Sequence, residues 1–220
     1  GNCMLKCNND NKTQIMDNIT KTIETYNQIY DDYSQRNGKA NPSIIGLRRI
    51  FLNLLPKHEG LSILDAGCAN GRDIPYFTSK GFKVIGIDLC EPFLRIARKN
   101  NPDVLFLNMD LRKLHFPAKT FDGIWAMASL LHIPKKEMVK TLKGFKKVLK
   151  PGGVFLLSFM SGENDGLREH PGLHWPERHF SDFQPEELEN LIAKSGYKIL
   201  RTTIKPTSWG PSWLIYFITY

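Results

Sequence analysis

The feature that most constrains this chain is its texture after Gly60, where short apolar runs alternate with helical stretches. The runs read as strands at 62–66, 83–88, 103–107, 121–127, 153–159, 198–204 and 213–219. Helical spacing fills the gaps at 72–80, 91–100, 134–149 and 184–195. Strands that are apolar almost throughout are buried on both faces, as in a parallel sheet covered by helices on each side. Thr207-Ser208-Trp209-Gly210-Pro211-Ser212 and its flanks separate the last two runs. That gap is too short for a parallel crossover, so this pair is expected to be antiparallel. The expected fold is α/β, a sheet of seven strands.

Two helices are expected ahead of the sheet. From Gln14 to Tyr33, Ile15, Ile19, Ile23, Tyr26 and Tyr30 recur at three- and four-residue steps. Ser43 reads as the cap of a second helix carrying Ile44, Leu47, Ile50, Phe51 and Leu54, which stops before Pro56. Residues 1–12 read as a polar, mobile tail. The expected division is a flexible tail and helical cap at 1–55 and the sheet domain at 56–220. In the latter, Gln184 is the expected N-cap of helix 184–195, with Pro185 in its first turn.

A chain of 220 residues, 41% hydrophobic and 24% charged, is long enough for one real core. No apolar run approaches the ~20 residues needed to span a bilayer. The opening GNCMLKCNNDNKTQ is too polar for a signal peptide, and a cytoplasmic setting is expected. Cys68 and Cys90 fall in strand-to-helix turns and Cys3 and Cys7 in the tail, so neither a disulfide framework nor a metal site is expected. The net charge of +8 is compatible with nucleic acid, with an acidic ligand, or with a plain basic surface.

The stretch ILDAGCANGRD, Ile63 to Asp73, turns a strand into a helix through Gly67 and Gly71. Glycine lets a backbone approach a ligand where a Cβ would collide. In open parallel sheets the ligand crevice lies beyond the carboxyl ends of the strands. A phosphate loop would need G-x-x-x-x-G-K-S/T, and a dinucleotide loop G-x-G-x-x-G; here Ala69 holds the middle place. Asp65, at the strand end, would repel a pyrophosphate but suits an ammonium or sulfonium group. Asp88 ends the second strand, where a carboxylate can accept ribose hydroxyls. Asp110 follows the third and could accept from an exocyclic amine. Three acids at three successive strand ends suit a cationic ligand containing adenosine.

This pattern resembles the class I S-adenosylmethionine-dependent methyltransferases over roughly Leu61 to Tyr220. ILDAGCANGRD looks like their first motif, VIGIDLC the second, NMDLRKLHFP the adenine-side acid, and FDGIWAMASLLHIP the fourth-strand motif. Phe145-Lys146-Lys147-Val148-Leu149-Lys150-Pro151-Gly152-Gly153-Val154-Phe155 resembles the fifth. Five motifs in order make the likeness specific. Ala69, where the family most often has glycine, is a departure. The resemblance implies a Rossmann-like, mostly parallel sheet with an antiparallel C-terminal strand, helices on both faces and an N-terminal helical cap. It implies S-adenosyl-L-methionine as cofactor and transfer of its methyl by in-line displacement. Asp65 and the backbone at Gly67 and Ala69 would hold the methionine end. Asp88 would bind ribose, Leu89 pack on adenine, and Asp110 with the Leu111 backbone read the adenine edge. Ala126 and Ser129 would line the methyl side. Arg72 would reach the cofactor carboxylate, or cap its own helix, or pair with Asp73.

A general base is needed only if the acceptor arrives protonated. His132, in Leu130-Leu131-His132-Ile133-Pro134, is the candidate; alternatively it packs or caps a loop. The fourth-strand motif has neither the Asn/Asp-Pro-Pro-aromatic string of adenine and glutamine amino methylases nor a Pro-Cys nucleophile. Tyr26, Tyr30 and Tyr33 resemble an entrance lid. Residues 160–183 read as a long irregular lid carrying His170, His174, Trp175, His179 and Phe180, more suited to lining a substrate pocket than to holding a metal. Lys136, Lys140, Lys143, Lys147 and Lys150 form a stripe that could track phosphates, or be a solvated helix face. A small-molecule acceptor is therefore the leading expectation. A tRNA, rRNA or protein acceptor, and a non-catalytic cofactor-binding subunit, are the alternatives.

Overall fold

The structure is a computed structural model describing residues 2–169, 173–208 and 210–220, with side chains from Asn18 onward. Helix α1 spans Asn2–Asn37 and α2 Pro42–Leu54. Then follow β1 (Ser62–Ala66), α3 (Ile74–Thr78), β2 (Lys83–Asp88), α4 (Glu91–Asn100), β3 (Leu105–Asn108) and β4 (Phe121–Ala126). A 3-10 turn at Leu130–His132 precedes α5 (Lys135–Val148) and β5 (Leu149–Met160). The chain ends with β6 (Asp165–Arg168), β7 (Arg178–Ser181), α6 (Pro185–Lys194), β8 (Lys198–Thr207) and β9 (Gly210–Thr219).

The main sheet has seven strands in the order β3-β2-β1-β4-β5-β9-β8. The pairs from β3 through β5 are parallel, and β9 inserts antiparallel between β5 and β8. This is the expected Rossmann-like sheet. Its side chains alternate between two cores, as the two-residue period of a strand requires. Leu64, Ile124 and Phe155 face α5 and α6. Ile63, Trp125 and Leu156 face α2, α3 and α4. The strand order reverses between β1 and β4, and a crevice at their carboxyl ends is where such sheets bind ligands.

Several sequence expectations need correction. The helix expected from Gln14 begins at Asn2, so the presumed tail is helical. Asn41, not Ser43, caps α2; its Oδ1 accepts the Ile44 amide at 3.0 Å with Pro42 in the first turn. Helix α2 also does more than cap, because Ile44, Leu47 and Phe51 join the second core. Residues 160–183 are not irregular throughout: β6 and β7 form an antiparallel ribbon. That ribbon is tied to α1. The Thr25 hydroxyl donates to the Glu177 carbonyl and the His179 amide to the Thr22 hydroxyl, each at 2.8 Å. Together α1 and the ribbon roof the crevice. Lys150 also leaves the lysine stripe, pairing with the buried Asp122 at 2.8 Å.

Candidate cofactor and acceptor site

Gly67 follows β1 with φ +78°. A Cβ there would fall 2.3 Å from the Ser129 Cβ. Ser129 is held in that place because its hydroxyl donates to the Ala66 carbonyl at 2.6 Å. The loops after β1 and β4 thus close on each other only because residue 67 is glycine. Ala69 adopts φ +46°, a region costly for a residue with a Cβ. Its amide donates to Asp88 Oδ2, and the Cys90 amide to Asp88 Oδ1, each at 2.9 Å. Asp88 therefore stands where expected and lines the cavity, but it also staples the first loop to the second. Burial pushes its carboxyl above the usual value, opposed by those amides.

Asp65 is 3% exposed, and its Oδ2 finds no hydrogen-bond partner among the described residues. Burial, then the nearby Asp73 carboxylate, raises its carboxyl well above the ordinary range. Arg72 stands in the same small polar pocket, which Gly67, Ala69, Asn37 and Tyr33 also line. Its Nη2 donates to Asp73 at 3.1 Å and its Nη1 to the Asn37 carbonyl at 3.3 Å, while Nε is buried and unpartnered. The expected pairing of Arg72 with Asp73 is present and leaves one donor over. Sequence reasoning missed the anchor behind it: Asp73 also accepts from Arg48 and, at 3.2 Å, from the Trp125 indole.

Asp110 departs from the expected row of three open acids. Arg112, two residues on, donates its backbone amide at 2.8 Å and its Nη2 at 2.6 Å to the carboxylate. Burial alone would raise the Asp110 carboxyl, but Arg112 outweighs it and holds it below the usual value. The Asp110–Arg112 pair lines the cavity together, beside Leu89 and Leu111. Ala126 is wholly buried in the first core and lines no cavity; Met127, Ala128 and Ser129 take the place expected for it.

Two cavities meet at Tyr26, Tyr33, Met127, Ala128 and His132. The first, of about 120 Å³, contains Asp88 and Asp110, while Asp65 lines the small polar pocket beside it. The second, of about 370 Å³, runs between the ribbon, α2 and the β8–β9 end. Tyr26 and Tyr33 project from α1 onto Phe93 of α4, with ring centroids 5.8 and 5.1 Å away. Tyr30 lines neither cavity. Trp175 lines the second, its indole nitrogen donating to Asp32 at 2.7 Å and its ring 5.8 Å from Tyr33.

His132 lies on the shared wall. Its Nδ1 is 2.6 Å from the His179 carbonyl, which only accepts, so Nδ1 carries the proton. Nε2 then accepts from the Tyr26 hydroxyl at 2.8 Å, and Tyr26 accepts from Arg178 Nη1 at 3.0 Å. Burial, and secondarily the charge of Arg178, lower the His132 pKa to about 3, so the ring is neutral at physiological pH. A pKa so far below neutrality makes this imidazole a weak base, and its one lone pair already accepts from the Tyr26 phenol. No group of three or more potential metal ligands occurs among the described residues. His170, named above as a lid residue, lies outside them.

Residues 63–153 match a family model described as a methyltransferase domain. The chain is 29% identical over 160 residues to the malonyl-[acyl-carrier protein] O-methyltransferase of Salmonella typhimurium, covering 72% of this chain and 62% of that one. It is 35% identical over 122 residues to an S-adenosyl-L-methionine-dependent Diels-Alderase of Talaromyces variabilis, covering 50% of this chain and 41% of that one. The chain thus spans less than two thirds of these relatives' length. Among solved structures it resembles the 1,6-didemethyltoxoflavin-N1-methyltransferase of Burkholderia thailandensis, with TM-score 0.72 and 20% identity over 93% of this chain and 89% of that one. Fold, motifs and matches together support a class I S-adenosylmethionine-dependent methyltransferase, the family model covering less than half of the chain.

Proposed function

We propose that this protein binds S-adenosyl-L-methionine through residues 56–220 and transfers its methyl group to an oxygen, nitrogen or carbon atom of a small molecule, in the cytoplasm, with residues 1–55 as the cap. The observation that carries this reading is the pairing of two buried orphans, Asp65 Oδ2 and Arg72 Nε, in one pocket against Gly67. An α-ammonium beside the first and an α-carboxylate beside the second would satisfy both, as the amino-acid end of the cofactor requires. Asp88 and the side chains of Leu89 and Met109 offer a ribose and base site in the adjoining cavity. That cavity is smaller than the ~300 Å³ at the low end of ligand pockets, so α1 must yield to admit a nucleoside.

When bound, the cofactor supplies a methyl already activated by a sulfonium charge. The chain then has to position an acceptor and exclude water. Tyr26, Tyr33 and the ribbon roof the junction of the cavities for that purpose, and His132 serves as base only where the bound acceptor displaces Tyr26 from Nε2 and raises the ring's lowered pKa. Calorimetry with S-adenosylhomocysteine tests the cofactor, and turnover with methyl-labelled cofactor tests transfer. Uptake of a nicotinamide dinucleotide or nucleoside triphosphate in its place would overturn the reading.

A macromolecular acceptor is the lesser reading. The groove lined by Lys113, Lys140, Lys143 and Lys147 runs along α5 and meets the first cavity only at Arg112, whereas the second cavity shares five residues with the first and has the size of a metabolite site. A role in cofactor binding without methyl transfer is suggested by the Diels-Alderase relative, and absence of turnover despite binding would favour it.

A further inference from the structure

Arg178, on β7, is 2% exposed and lines the second cavity. Its Nη1 donates to Tyr26, but Nε and Nη2 are buried without an acceptor among the described residues. These two nitrogens form one edge of the guanidinium, with parallel N–H bonds that match the two oxygens of a carboxylate or phosphate. At Arg48 and Arg112 the same edge is filled, whereas Arg72 and Arg168 leave Nε alone unpartnered. Arg48 presents Nε and Nη2 to Asp73, and Arg112 presents Nε and Nη2 to Asp110. Arg168, across the ribbon from Arg178, pairs with Asp182. Among the described residues, no ion pair includes Arg178.

Aromatic rings supply part of what a counter-ion would. The guanidinium carbon lies 5.1 Å from the Tyr26 ring, 5.2 Å from Trp175 and 5.0 Å from Phe180. Ring faces hold the charge without accepting the N–H bonds of the edge, so the donors stay unmatched. The rest of the cavity has the same sign. Its described lining includes Arg72, Arg178 and Lys205 and no aspartate or glutamate. Lys205 turns its ammonium to the Ser43 carbonyl and hydroxyl. His132 is neutral.

We infer that the acceptor bears an oxyanion, carboxylate or phosphate, and that Arg178 grips it through Nε and Nη2 within the cage of Tyr26, Trp175 and Phe180. This deepens the methyltransferase reading and rests on it for the word acceptor. Tyr26 touches both Arg178 and His132. An anion held at Arg178 therefore leaves the remainder of the molecule against His132, Met127 and Ala128, the wall shared with the cofactor cavity. Arg178 is a binding residue that sets specificity, and it moves no proton.

The test uses the whole chain, first titrated with S-adenosylhomocysteine and then, at saturation, with benzoate, phenyl phosphate and neutral benzamide. Binding is followed by calorimetry and by the fluorescence of Trp175, which stacks on Arg178. At least one anion should bind tenfold or more tightly than benzamide, and whichever does so distinguishes carboxylate from phosphate. Arg178→Met should abolish that preference, and Arg178→Lys, which keeps charge but not the fork, should lose most of it. The discrimination in the unmodified protein stands even if the variants fail to fold. Anions that bind no better than benzamide, or equally well in folded Arg178→Met, overturn the inference. Failure of S-adenosylhomocysteine to bind while an anion still binds through Arg178 would sink the cofactor reading alone.

Discussion

Replacing Asp65 by asparagine should make the protein more stable and a worse binder. The carboxylate is buried, one oxygen is orphaned, and Asp73 and Asp88 add like charge. An unsatisfied buried polar atom costs about 1–3 kcal/mol, and more when it is charged. Asparagine keeps the shape and removes the charge, so about 1–3 kcal/mol should return at pH 7.5. For a chain of this size each kcal/mol moves Tm by about 2–4 °C. The pH dependence has a fixed sign. The folded pKa of Asp65 lies above the unfolded value of ~3.9, so between the two the native state binds more protons. The contribution of Asp65 to stability is full below the unfolded value and is lost as pH rises through the folded one. The advantage of Asp65→Asn should therefore shrink on acidification. The cofactor ammonium loses a charge-assisted hydrogen bond, worth about 1.5–3 kcal/mol or roughly 10- to 100-fold in affinity. Scanning calorimetry from pH 5 to 8 and titration with S-adenosylhomocysteine measure both effects. An Asp65→Asn protein less stable than the parent at pH 7.5 would show that the carboxylate is paired in the folded state, and the argument from an orphaned charge would fail.

Asp88→Ala strands the Ala69 and Cys90 amides, so we expect about 2 kcal/mol of lost stability by thermal melting and about 1–3 kcal/mol of lost cofactor affinity; unchanged affinity contradicts the ribose role. Ala69→Gly relieves a positive φ, at about 1–2 kcal/mol, against a gain in unfolded-chain entropy of about 0.4–1 kcal/mol, so denaturant melts should show a net gain of up to about 1.6 kcal/mol. His132 has its pKa lowered to about 3 from an unfolded ~6.5, so its contribution is full above pH 6.5 and lost as pH falls towards 3. At pH 5 the loss is about 2 kcal/mol, and His132→Asn should show a flatter melting profile between pH 7 and 5.

What the sequence made legible follows from where burial is symmetric. Each central strand faces helices on both sides, so its residues are apolar regardless of face, and β1, β2 and β4 stand within a residue of their expected bounds. Asp65 and Asp88 were legible because an acid at the end of an apolar strand interrupts that pattern. The roof was not. Among its ties, Thr22 and Thr25 of α1 each share one hydrogen bond with the backbone at His179 and Glu177, about 150 residues away, and threonine on a polar helix gives no sign of such a partner. Tyr26, Tyr30 and Tyr33 look equivalent as a string, yet only the first and last, seven residues apart, reach the cavities. Asp110 could have been read differently, since Arg112 two residues on is within reach of its carboxylate.

The same blindness explains why Arg178 looked like one base among thirty. A surface arginine and a buried, unpaired one are written with the same letter, and only packing separates them. Once placed, it changes how the charge of the protein is understood. The first cavity carries Asp88 and the Asp110–Arg112 pair, Asp65 stands in the small adjoining pocket with Arg72, and the second cavity carries Arg178, Lys205 and Arg72 with no described acid. Tyr26 and the neutral His132 stand between them. A cationic methyl donor and an anionic acceptor would each find the opposite charge in its own cavity, and each cavity would repel the other's ligand. Part of the basic excess of the chain is thereby assigned to acceptor choice, without requiring a nucleic acid. Reversing one side should then act on one ligand only: Arg178→Met leaves the affinity for S-adenosylhomocysteine within about twofold, because Arg178 lines the second cavity alone. A loss of cofactor affinity as large as that of Asp65→Asn would mean that the two cavities are one site, and the division of charge between them would be wrong.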